Sequence, residues 1–156
     1  MTRRKQNGIA AVEFALVLIP LLTMLFGITE FGRAMYEYNT IAKAARDATR
    51  LMSTQAPADP DYAALKTTAT CFAVYGNTGC TGTTLLPGLT TAMIGICDPV
   101  SCAATHAGVA TGTGTINLVT VTIGSANTPF RFNSLAPWGV ATFNFAPVSV
   151  TMRQVL

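Results

Sequence analysis

Histidine and tryptophan each occur once in this 156-residue chain, and charged residues make up only 11% of it, against about a quarter in ordinary soluble domains. Each scarcity removes a class of function. A single histidine, His106, cannot be joined by spacing to a serine or cysteine nucleophile. Asp59 and Asp61 are two carboxylates, but they alternate with Pro57 and Pro60 and read as turn residues. Gly112-Thr113-Gly114 lacks the later glycine and the preceding strand of a dinucleotide fingerprint, and no lysine completes a phosphate loop. The formal charge of +3 comes from 10 basic and 7 acidic residues. Arg3, Arg4 and Lys5 supply that excess, and the two signs balance beyond Gly8. No basic face is left to release counterions from a nucleic acid. The sequence therefore predicts no enzyme, no cofactor, no metal and no nucleic-acid partner.

What the chain has is apolar residues, 50% of the total, and they are concentrated near the start. From Ile9 to Gly32 only Glu13 and Glu30 carry charge. The uncharged run Phe14 to Thr29 rises about 24 Å as a helix, short of a hydrocarbon core of about 30 Å; starting from Ile9 gives about 31 Å. That longer span fits a bilayer but draws Glu13 into it, where a charge costs about 2.5–3.5 kcal/mol at mid-membrane and less at the boundary. The basic residues before the run hold the N-terminus in the cytoplasm. A secretory signal would end in a small-x-small cleavage site, whereas this stretch runs on through Glu30-Phe31-Gly32-Arg33 as helix. A plain uncleaved anchor fits the length but gives Glu13 no purpose. The arrangement that uses every feature is a basic leader, then Gly8, then a helix with a carboxylate five residues later.

The stretch Arg3-Arg4-Lys5-Gln6-Asn7-Gly8-Ile9-Ala10-Ala11-Val12-Glu13-Phe14-Ala15-Leu16 resembles a class III prepilin signal. Together with Phe26-Gly27-Ile28-Thr29-Glu30-Phe31-Gly32-Arg33 and the Ala- and Arg-rich segment 42–50, it resembles the TadE-like pseudopilins of the tight-adherence (Tad, Flp) pilus. The resemblance covers residues 3–52 and is weak afterwards. It implies a motif of Phe14, Glu30, Phe31, Gly32 and Arg33, and cleavage between Gly8 and Ile9 by a membrane prepilin peptidase. It also implies a role for Glu13 in assembly, by pairing with the N-terminal ammonium of a neighbouring subunit. The implied partners are the prepilin peptidase, other Tad pilins and pseudopilins, the inner-membrane Tad secretion machinery and the lipid bilayer. The major pilins of such systems are much shorter, so a chain of this length fits a minor, assembly-assisting subunit. The implied location is the inner membrane, crossed once, with the C-terminal domain periplasmic. The alternative is an uncleaved, single-pass envelope protein with a periplasmic binding domain.

The expected fold is α+β and pilin-like: leader 1–8, transmembrane helix 9–32, stalk helix 33–55 and an external loop-rich domain 56–156. Residues 33–52 hold no Pro or Gly, and Ala34, Tyr38, Ile41, Ala45, Ala48 and Met52 recur on one helical face. Lys43–Asp47 and Asp47–Arg50 are spaced to pair along it. Tyr36 and Tyr38 lie where aromatic rings prefer a membrane edge. Pro57 and Pro60 end the helix, and Asp59 or Asp61 can cap a short second one through Lys66. Residues 67–115 read as loops with short strands. Alternation at Val119-Val121-Ile123 and Val148-Val150-Met152, and the pairs Phe130/Phe132 and Phe143/Phe145, predict a small antiparallel sheet. Cys71, Cys80, Cys97 and Cys102 allow three pairings. Cys71–Cys80 with Cys97–Cys102 clips two local loops and suits an oxidising periplasm. The rival, a zinc site with His106, has only one of two gaps near the usual spacing. Trp138, between Pro137 and Gly139, reads as a turn residue for packing or contact.

Overall fold

Forty-seven residues, Asn7–Ser53, form one uninterrupted helix, α1, about 70 Å long. The computed structural model describes residues 7–135 and 142–155; the leader residues Arg3, Arg4 and Lys5, and Trp138, lie outside the described residues. α1 continues through Pro20. It is two helices in its surroundings. Its apolar first half touches almost nothing: Ile9, Phe14, Leu16, Ile19, Met24 and Ile28 are all more than half exposed. Its second half is the spine of the folded domain.

The reason is legible in the side chains. Ala42, Ala44, Ala45 and Ala48 are all buried with Ile41. Such short side chains let a second helix and a sheet approach the α1 backbone closely. That second helix, α2 (Tyr62–Tyr75), contributes Ala73 and Val74 to the same core. The sheet contributes Val121, Ile123 and Val148, and Phe130 and Leu89 close it. A smaller cluster of Met52, Tyr62, Ala69 and Val119 extends the core toward the C-terminal end of α1. Tyr38, expected on the apolar face, is 41% exposed instead.

The sheet is antiparallel and built around β3 (Gly114–Ile123). Along one edge β3 pairs with β6 (Val148–Gln154), in register from Asn117↔Gln154 to Ile123↔Val148. Its other edge is shared: β1 (Ile94–Cys97) takes the C-terminal half and β2 (Val109–Thr111) the N-terminal end. A one-turn helix, α3 (Ala103–His106), lies between those two. The predicted alternation holds on β3, where Val119, Val121 and Ile123 are buried. On the opposite face Thr120 meets the Thr151 hydroxyl at 2.7 Å and Thr122 meets Ser149 at 2.8 Å. Much of the threonine in this region therefore forms a hydroxyl ladder that suits a half-exposed sheet face. β4 (Arg131–Phe132) and β5 (Phe143–Asn144) form a separate two-stranded ribbon.

Three expectations need correction. α2 does not stop near Lys66 but reaches Tyr75, so residues 67–75 are helix and not loop. Thr67, Thr68 and Thr70 lower helix propensity, but the Thr68 and Thr70 hydroxyls bond back to the carbonyls of Ala64 and Lys66, and Ala69 and Ala73 gain burial on α1. Asp61 stands at the N-cap of α2 without a side-chain capping bond. Lys43–Asp47 and Asp47–Arg50 do not pair; the ion pairs among the described residues are Arg33 with Glu30 and Glu37, and Lys66 with Asp98.

The disulfides join Cys71 to Cys80 and Cys97 to Cys102. The first ties α2 to the loop after it, which turns at Gly76. That glycine has φ +71° and its N–H closes the helix on the Phe72 carbonyl at 2.9 Å. A left-handed C-cap of this kind favours glycine.

Candidate functional site

Two features stand where the apolar half of α1 gives way to the domain. The first is the unburied helix itself. None of its most apolar 18-residue stretch, of mean hydropathy 2.4, is buried within the chain. A surface of that size is stable only against lipid or neighbouring helices. Glu13 sits in it, exposed and without an ion pair among the described residues. Gly8 and Ile9 occupy the first turn of α1. The amides of a first turn lack intrahelical carbonyl partners, so this is the part of the helix that opens most readily. Phe14 is 66% exposed.

The second feature is a latch built on Glu30, Arg33 and Glu37. The three stand at i−3, i and i+4, one side of the helix. Arg33 places one nitrogen 2.9 Å from Glu30 and the other 3.0 Å from Glu37. Both carboxylates are only 8% exposed. The same guanidinium lies over the Phe132 ring, 4.3 Å from its centre, and donates a short hydrogen bond to the Asn133 carbonyl. Glu30 uses its second oxygen to accept the Leu135 N–H at 3.3 Å. One arginine thus satisfies two buried acids and fixes the chain segment after β4 against α1. Arginine suits the position because its planar fork can bond in two directions and stack at once. Burial pushes the Glu37 carboxyl above its ordinary range, and Arg33 draws it part of the way back.

Of the predicted motif, the structure brings Glu30 and Arg33 together and leaves Phe31 (69% exposed) and Gly32 on the open surface. Glu37, Asn133 and Leu135 are not marked by the sequence, and Phe132 is marked there only as a strand residue. Glu37 could have been, since it stands four residues from Arg33. The contacts of the other three with α1 could not, because about a hundred residues separate them from their partners.

Beside the latch, the aromatic residues gather. Phe130, Phe143 and Phe145 pack together, with Phe143 and Phe145 edge to face at 5.3 Å, and Tyr38 of α1 lies 5.9 Å from Phe145. At the other end of the domain, Cys97, Cys102 and His106 bring their ligand atoms within 4.8 Å of one another. The two sulfurs are bonded to each other, and zinc requires thiolates, so the set does not suit a metal in this form. His106 instead bonds Thr120 through Nε2 at 2.8 Å and Thr105 through Nδ1 at 2.7 Å. Asp59 and Asp61 are exposed in the turn before α2.

Among known proteins, the family model described as TadE-like protein matches residues 8–50, the helix α1 from its second residue almost to its end. No curated protein and no solved structure matches the chain.

Proposed function

We propose that this TadE-like chain is a structural, membrane-anchored component of a Tad pilus system, more narrowly a minor pseudopilin processed after Gly8. The observation that carries the reading is the apolar half of α1: long enough to span a bilayer, wholly unburied, and holding a carboxylate with no ion-pair partner among the described residues. An anchor alone has no use for that carboxylate. Removal of the leader would take away Arg3, Arg4 and Lys5 and leave a new ammonium at Ile9, one helical turn from Glu13. In an array of such helices, the ammonium of one subunit can meet Glu13 of the next. Two isolated charges in an apolar layer are costly, and a matched pair less so. Pairing therefore favours one register of assembly. The helix would sit with its leader cytoplasmic and the folded domain in the periplasm, where both disulfides are at home.

The prepilin peptidase acts first in this scheme, and other Tad pilins and the inner-membrane Tad machinery act after it. In this reading the domain contributes packing surface and not catalysis. The mature N-terminus tests the reading. Intact-mass measurement of protein extracted from membranes is expected to show a chain beginning at Ile9. A chain retaining Arg3 to Gly8 in cells with an active peptidase would overturn processing and return the alternative, an uncleaved anchor with a periplasmic binding domain.

A further inference from the structure

Between α1 and the β4–β5 ribbon lies an open groove of about 550 Å³. One wall is a stripe of α1, Gly27, Phe31, Met35 and Tyr38, spaced by four, four and three residues and so on one helical face. The other wall carries Phe143 and Phe145. These are large apolar groups left open: Phe31 is 69% exposed, Met35 44% and Phe143 42%. Leu135, at the end of the latched segment, is 77% exposed.

The continuity of α1 fixes the depth of this groove. A helix rises about 1.5 Å per residue, so Phe31 stands about 33 Å along from Ile9 and Met35 about 6 Å beyond it. With Ile9 at the inner face, a hydrocarbon layer of about 30 Å ends just below Phe31, and the headgroup layer covers the next several ångströms. The groove therefore opens at the outer boundary between acyl chains and headgroups, the level that aromatic rings prefer. Its charge is arranged for that place. Among the described residues Glu30 is the one ionised group in the lining, and it is closed off by Arg33 at 2.9 Å and by the Leu135 N–H at 3.3 Å. Among the described residues no unpaired charge lines the opening. The groove is also continuous, through Gly27 and Phe31, with the exposed apolar surface of the spanning segment, so lipid reaches it without any assembly step.

We propose that the outer-leaflet boundary of the bilayer fills this groove, and that the β4–β5 ribbon with Leu135 seats the folded domain on the membrane surface. The domain then lies against the membrane at a fixed tilt and is not held off it on a free helix. The proposal rests on the reading of α1 as membrane-spanning, and its test separates the two.

The full-length protein, with Trp138→Phe to remove its single tryptophan, is reconstituted into phosphatidylcholine vesicles brominated either near the headgroup or deep in the acyl chains. One tryptophan is introduced at a time. Phe14→Trp reports the span, Phe143→Trp and Leu135→Trp the seat, and Val100→Trp, 62% exposed in the turn after Asp98, the far end of the domain. Groups seated about 5–10 Å into the boundary should be quenched about twofold more by shallow than by deep bromines. That result is expected at positions 143 and 135, with deep quenching at 14 and none at 100. If position 14 is quenched while 143 and 135 report only water-soluble iodide, the seat is wrong and the span stands. If 143 and 135 are shielded from both bromine and iodide, protein covers the groove and the seat is equally wrong. Absence of quenching at position 14 would overturn the span itself.

Discussion

Asp98 shows how much a single buried charge depends on distant residues. It is wholly buried, its Oδ2 lies 2.6 Å from the Lys66 ammonium, and its Oδ1 accepts the Ser101 N–H at 2.7 Å. Burial pushes this carboxyl up, but the bonds from Lys66, Ser101 and Tyr62 outweigh it and hold it at about 2. Burial raises the neighbouring Tyr62 phenol to about 12, so it stays protonated. Its oxygen takes a bond from Gln154, whose amide also reaches the Met52 and Gln55 carbonyls. A carboxyl whose folded pKa is depressed from 3.8 adds stability that is present above about pH 4 and disappears as pH falls toward 2. At about 1.4 kcal/mol per unit, that contribution is about 2 kcal/mol. Chemical denaturation in detergent micelles should therefore show the protein losing about 2 kcal/mol more between pH 5 and 2 than Asp98→Asn does; parallel pH curves would refute it. Asp98 and Lys66 are 32 positions apart, so this pair could not be read from local spacing. The Glu30–Arg33–Glu37 triad could, because all three lie within three turns of one helix.

At the scale of elements, the sequence predicts helices from propensity and strands from alternation, and it fails where tertiary contact reverses a local preference. α2 is the clearest case: its threonines argue for loop, and its buried Ala69 and Ala73 decide for helix. Gly124 is a second. It ends β3 with φ +75°, donates its N–H to the Met93 carbonyl at 2.9 Å, and a Cβ there would come within 3.2 Å of the Phe130 nitrogen. The turn that carries the chain from the sheet to the aromatic ribbon needs a residue with no side chain. Gly124→Ala is expected to cost about 1–3 kcal/mol. Gly112→Ala, where nothing lies within 4 Å, should stay within about 0.5 kcal/mol. Equal stabilities in thermal or urea unfolding would remove the conformational argument.

On the whole-molecule scale, α1 carries two incompatible environments on one rigid rod, and the latch at Arg33 marks the place where one ends. Assembly belongs to this scale, because Glu13 has no ion-pair partner among the described residues. Glu13→Lys should leave processing after Gly8 intact while sharply reducing crosslinked multimers or filament yield in membranes; undiminished assembly would sink the pairing mechanism. Sequence alone gives the length of the apolar run, the basic residues before it, the carboxylate within it and the resemblance to TadE-like proteins, because each is a matter of composition or spacing along one helix. It also determined the alternation of β3, since a two-residue period is local. Only the tertiary structure decided that Arg33 of the motif is a clasp on residues a hundred positions away, and that Phe143 and Phe145 return beside Phe31. Those pairings join segments distant in the chain, and what brings them together is burial of the shared core, which no local pattern encodes. The apolar first half of α1 was legible because its character is set by consecutive apolar residues and not by burial against the rest of the protein.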